Sequence, residues 1–165
     1  MALKPDLQIT EYEIGFYWGA STADRGGIAS MVTSGSGAGM DDSNAVAGYV
    51  AEASGAIPLG VLMNDVVSID QTRMHLNQYK PDEVQVNSKV ALAKRAVVVT
   101  NMILGSVSAG DRAYLAESGN IRGTQGINEA PIVGRFLTTP DQNGYARVHI
   151  DLPSTALAPP LTVAD

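Results

Sequence analysis

Cysteine is absent from the chain, and with it go disulfide bridges, thiolate nucleophiles and cysteine-ligated zinc. Stability must come from packing, hydrogen bonding or oligomerisation. Histidine is scarce: His75 and His149 stand far apart, without the i, i+4 spacing or the neighbouring ligands that announce a metal site. Each is expected as a surface or hydrogen-bonded histidine, and no metal, catalytic residue or other cofactor is expected. No apolar run approaches the ~18 to 20 residues that a membrane-crossing helix needs, so no membrane is expected as a partner. The start, Met1-Ala2-Leu3-Lys4-Pro5-Asp6, lacks the basic and apolar regions of a signal peptide, and use without export by that route is expected. Basic residues are outnumbered, 11 against 17 acidic ones, for a net charge of −6. The Lys and Arg form no run in sequence that would neutralise a phosphate backbone, so no nucleic acid is expected as a partner. There is no Gly-x-Ser-x-Gly elbow, no phosphate-loop lysine and no His-Glu-x-x-His, so the common hydrolase and nucleotide chemistries lack their markers.

What is present is a chain of 165 residues, 45% of them hydrophobic, enough for one folded domain with a real core. Its first strong pattern is the alternation of Tyr12, Ile14, Phe16 and Trp18 with Glu11, Glu13, Gly15 and Tyr17. Period two with aromatic and β-branched residues predicts a strand with one apolar face. That face either docks on a partner or packs on the domain's own core. From residue 21 to 44 glycine dominates, with Gly26-Gly27 and Ser34-Gly35-Ser36-Gly37-Ala38-Gly39 separated by one short apolar stretch, 28–32. Gly37-Ala38-Gly39 begins like a dinucleotide fingerprint, but Asp41-Asp42 follows it with side chains that repel phosphate. Residues 1–45 are therefore expected as a strand followed by a glycine-rich arm.

Short strands are predicted at 46–51, 59–63, 84–92, 96–101, 112–116, 132–138 and 145–152, separated by glycine and proline turns. The last turn closes on Asn143-Gly144, a strong hairpin dipeptide. In the last strand Val148, Ile150 and Leu152 face one way, and Arg147, His149 and Asp151 face the other. One side meets the core and the other meets water or a neighbour. A short helix or structured loop is expected over 65–79, from the spacing of Val66, Ile69, Arg73 and Leu76, and an extended proline-rich tail over 153–165. The expected fold is mainly β: a barrel or sandwich of about seven short strands over 46–152, with an extended N-terminal arm and one short helix.

Asp41-Asp42 and the Asp65, Asp70 pair lack the alternating oxygen ligands of a calcium loop and are read as solvated carboxylates. Ala47-Gly48-Tyr49-Val50, with Ala56-Ile57-Pro58-Leu59-Gly60 after it, resembles the start of the trimeric dUTP pyrophosphatases. That family carries an aspartate directly after Ala-Gly-Tyr, where this chain has Val50, so the base that would activate water is missing. A trimeric nucleotide-handling barrel is the weaker enzymatic alternative.

A fuller resemblance runs through Ile57-Pro58-Leu59-Gly60-Val61-Leu62, Ala109-Gly110-Asp111-Arg112-Ala113-Tyr114 and Ser118-Gly119-Asn120-Ile121. It closes with Ile132-Val133-Gly134-Arg135-Phe136-Leu137 and Gly144-Tyr145-Ala146-Arg147-Val148-His149-Ile150-Asp151-Leu152. In that order these phrases resemble the β-barrel core of the head-decoration, or cement, proteins of tailed bacteriophages. The resemblance spans about a hundred residues, 57–152, and its weight lies in the order and spacing of the phrases. It implies a non-enzymatic virion protein on the outer surface of the phage head, a homotrimer that bridges subunits of the major capsid protein. A tail or baseplate β-module is the structural alternative. The expected contact residues are Tyr12, Ile14, Phe16 and Trp18 on the first strand, and Arg147, His149 and Asp151 on the last. Because residues 1–45 lie outside the resemblance, the barrel is expected to fold without them.

Overall fold

Lys89–Thr100 is a twelve-residue strand, β9, rich in the β-branched and small apolar residues that suit a sheet buried on both faces. Everything else is hung from it. The computed structural model describes residues 3–4, 8–19, 21–34, 45–65, 69–70, 75–76, 82–126 and 130–152. Along one edge of β9 lies β1 (Gln8–Trp18), antiparallel, from Gln8 opposite Val97 to Tyr17 opposite Lys89. The other edge is shared end to end by two strands. β5 (Pro58–Asp65) pairs with its first half, and β13 (Ala146–Asp151) with its second, Ala146 opposite Thr100 and Asp151 opposite Arg95.

Two further strands close a ring. β3 (Ile28–Ser34) pairs with β5 and with β4 (Ala45–Gly48), and β4 pairs in parallel with β1 at Tyr17 and Trp18. The circuit β1, β4, β3, β5, β9 and back to β1 is a five-stranded barrel. Every one of its strands sends a side chain into one buried cluster: Trp18, Ala47, Ala29, Leu62, and Val90 with Leu92. From β9 the sheet continues outward through β13, β12 (Ile132–Phe136), β10 (Arg112–Leu115) and β11 (Ile121–Arg122). The inner face of this wing, with Leu115, Val133, Phe136, Val148 and Ile150, packs against Ile28, Val61 and Met63, which point outward from the barrel. The fold is thus a barrel sharing one long strand with a wing laid over its side, and the mainly β expectation holds.

Two short pairs complete the described strands. β2 (Ala23–Asp24) pairs with β8 (Glu83–Val84), and an Arg25 to Asp82 ion pair of 2.7 Å ties the ends of those segments together. β6 (Ile69–Asp70) pairs with β7 (His75–Leu76). The helix expected over 65–79 is corrected by this last pair. Asp65 ends β5, and Ile69 stands opposite Leu76 in an antiparallel register, so these two residues of the expected helical face lie in paired strands, while Val66 and Arg73 lie outside the described residues. The single helical turn among the described residues is a 3-10 turn at Glu117–Gly119.

The N-terminal segment also differs from expectation. β1 and β3 are two of the five barrel strands, so no break in pairing sets residues 8–34 apart as an arm. The stretch 28–32 was expected in a loop because glycines surround it, yet Ile28, Ala29 and Ser30 are fully buried. Gly26, at φ 110°, makes the turn into β3, and Gly27 is glycine for lack of space. A Cβ on Gly27 would lie within 2.9 Å of the Tyr49 hydroxyl, the Gly119 carbonyl and the Met102 methyl. Of the predicted strands at 84–92 and 96–101, residues 89–92 and 96–100 join in β9, with the exposed Arg95 and the partly exposed Lys94 in the middle of a strand that carries on past them, whereas Val84 belongs to β8. Gly37-Ala38-Gly39, Asp41-Asp42 and the tail at 153–165 lie outside the described residues.

Candidate functional site

The four residues expected to share one face of β1 are divided between two. Phe16 and Trp18 turn into the barrel: Trp18 is 2% exposed, donates its indole N–H to the Ser21 carbonyl at 2.7 Å, and meets the Tyr49 ring edge to face. Tyr12 and Ile14 are 55% and 52% exposed. The cause is a bulge. Glu13 stands opposite Leu92 and Phe16 opposite Val90, so Ile14 and Gly15 together oppose the single residue Ala91. One extra residue reverses the alternation of faces, and the first half of the apolar stripe is turned to solvent. Trp18 is therefore removed from the expected contact set, because its ring is core.

The bulge is held by Glu13. Its Oε1 accepts the N–H groups of Ile14 and Gly15, at 3.2 and 3.0 Å, and its Oε2 accepts from Lys94 Nζ at 3.0 Å. The hydrogen bond from Lys94 chiefly, with help from the two amides and against the effect of partial burial, holds the carboxyl below its ordinary pKa. Gly15 leaves room for that carboxylate, since a Cβ there would sit 3.0 Å from Oε1.

On β13 the alternation is regular. Ala146, Val148 and Ile150 are buried and Arg147, His149 and Asp151 are exposed, so these three expected contact residues do share one open face. Asp151 is engaged there by Arg95 at 2.7 Å, with Glu11 3.9 Å away on the other side of Arg95. The neighbouring strands add two residues that sequence reading did not single out. Arg135 of β12 stands directly opposite His149, and Arg112 of β10 directly opposite Arg135. Side chains opposite one another across antiparallel strands share a face, so Arg112, Arg135 and His149 form a row across three strands, with Arg147 two residues along β13 from its end. Among the described residues no carboxylate lies within ion-pair distance of Arg112, Arg135 or Arg147. Among the described residues the Arg135 guanidinium donates only to the Gly110 carbonyl, at 3.0 Å. Arginines separated by 12 to 23 positions in sequence leave no linear signal; only the strand register unites them.

A concavity of about 520 Å³ opens at the end of the barrel beside Trp18, Tyr49, Met102 and Val32. One of its polar groups is committed already. The Tyr49 hydroxyl donates to the Asp24 carbonyl at 2.6 Å and accepts the Gly27 N–H at 3.1 Å. Burial raises its pKa above the ordinary phenol value, so the hydroxyl stays protonated. Among the described residues no three His, Asp or Glu side chains converge as metal ligands, and no helix is long and apolar enough to cross a membrane.

Comparison with known proteins adds no relative: no family model matches the chain, and no curated protein matches it.

Proposed function

We propose that this chain is a structural protein of tailed-phage heads that acts by surface contact and not by catalysis, bound to the outside of the capsid as a homotrimer and bridging major capsid protein subunits. The observation that carries the reading is the open face of the wing, where Arg112, Arg135, Arg147 and His149 stand in solvent on a rigid sheet. Side chains that work by contact belong on such a platform, whereas groups that work by chemistry need a concave site with tuned protonation. A second exposed feature, Tyr12 and Ile14 on the bulge of β1, supplies apolar contact area. Three of the five phrases that resemble decoration proteins fall on β10, β12 and β13, the strands of the basic face; the other two fall on β5 and on the turn into β11. Several modest contacts repeated by symmetry would add up to firm attachment, which is how a trimer clamps a shell.

The test is binding of the purified chain to undecorated heads, followed by cryo-electron microscopy of the particles. Saturable attachment in symmetric numbers, as trimers on the outer surface, is the expected result. Attachment at the tail or baseplate, or no attachment at all, would sink the proposal.

A further inference from the structure

The basic face has an unusual local balance for an acidic chain. Adjacent strands lie about 4.8 Å apart and alternate residues along a strand about 7 Å apart. The four basic side chains of Arg112, Arg135, His149 and Arg147 therefore occupy a patch on the order of 10 by 7 Å. Like charges directly opposite on a sheet destabilise it, and Arg112 faces Arg135 in just this way. The fold tolerates the repulsion with no carboxylate drawn in among the described residues, although Asp151 on the same face is paired at once with Arg95.

We propose that this face is the docking site for a protein surface that presents clustered Asp and Glu side chains. Charge complementarity identifies the partner. Three guanidiniums on a flat platform, each with free N–H donors, match carboxylates that can accept two hydrogen bonds side by side. Exposed Leu137 follows β12 beside Arg147, its N–H bonded to the Arg147 carbonyl, and partly exposed Val97 and Val99 border the row from β9. That mixture of arginine and apolar area suits a protein interface. A nucleic-acid duplex fits less well: the face offers three guanidiniums, against the roughly 6 to 10 phosphate contacts of a protein whose duplex binding is strong and steeply salt-dependent, and its apolar border has no counterpart in a phosphate backbone. The inference rests on the surface-contact reading of the chain and names the chemistry of its partner.

The full chain is tested by biolayer interferometry on immobilised poly-L-glutamate and on duplex DNA, and by co-sedimentation with undecorated heads. Binding to poly-glutamate that weakens with salt is expected, reduced about tenfold or more in the R112Q/R135Q/R147Q variant, with head binding lost in parallel. R135Q alone, at the centre of the row, is carried alongside, so that a folding defect in the triple variant does not decide the matter. Equal binding of wild type and R135Q to poly-glutamate overturns the inference. So does tighter, arginine-dependent binding to the duplex, which makes the occupant a nucleic acid. Arginine-dependent binding to poly-glutamate without any binding of wild type to heads upholds the acidic partner and discards the phage-head reading.

Discussion

Glu13 grips Lys94 with one carboxylate oxygen and two consecutive backbone amides, those of Ile14 and Gly15, with the other. It thereby satisfies the N–H groups that the bulge in β1 takes out of the ladder, and locks the register that exposes Tyr12 and Ile14. Its pKa in the folded chain lies below the ordinary value of 4.5. The stabilisation is therefore fully present above that ordinary value and is lost as pH falls through the folded one. With the carboxylate side chain 35% exposed, solvent screening leaves the charged pair about 0.5 to 1 kcal/mol. Glu13→Gln should lower the unfolding free energy from urea titration at neutral pH by that amount, and the gap from wild type should close in acid. A gap that persists unchanged in acid would show that the charge is not what matters.

Gly119 should not tolerate a side chain. It sits at φ 74°, and a Cβ there would run into the Tyr49 ring, which plugs the barrel end against Trp18. Gly119→Ala combines backbone strain with overpacking and should cost about 2 to 4 kcal/mol. Thermal melting would show it as a drop of roughly 5 to 15 °C for a chain of this size. Tyr49→Phe in the Gly119→Ala background should recover little, because the ring and not the hydroxyl causes the clash.

How much of this was legible in the sequence depends on whether one strand or several carried the information. The alternation in β13 set Arg147, His149 and Asp151 on one face correctly, since an unbulged strand obeys period two. The same argument set Tyr12, Ile14, Phe16 and Trp18 on one face and fails there, because the bulge at Ile14-Gly15 is specified by Glu13 meeting a lysine 81 residues away. Gly26 and Gly27 looked like looseness, whereas one is needed for a positive φ and the other for close packing against Tyr49. Arg112 and Arg135 went unremarked because cross-strand register is a property of the fold and not of any single segment.

Removing residues 1–34 should abolish folding. The truncated chain would lose β1 and β3, leaving β4 with neither of its neighbours and β9 with a bare edge along nearly its whole length. Ile28 and Trp18, both buried, are each worth about 2 to 5 kcal/mol on the scale of truncation to alanine. Together they match the ~5 to 15 kcal/mol by which a domain is ordinarily stable. Circular dichroism and analytical ultracentrifugation should find an unfolded or aggregated chain. A soluble, cooperatively melting β-domain would mean that the wing folds alone.

The bulge makes a sharper test of contact possible, because neighbouring residues of one strand now serve different ends. Tyr12 and Ile14 are more than half exposed, so Tyr12→Ser with Ile14→Ser should change the unfolding free energy by no more than about 0.5 kcal/mol each. Trp18→Ala, four residues beyond Ile14, should cost about 3 to 5 kcal/mol by opening a cavity among Tyr49, Leu62 and Val90. If β1 contributes to attachment, the double serine variant should bind undecorated heads at least about tenfold more weakly, as expected when an aromatic anchor worth roughly 2 kcal/mol is removed from an interface. Its melting curve should overlay that of the wild type. Measured together, the two variants separate contact from stability: full head binding by the double serine variant would assign attachment to the wing face alone, and a loss of stability in it would mean that Tyr12 or Ile14 holds the barrel from outside.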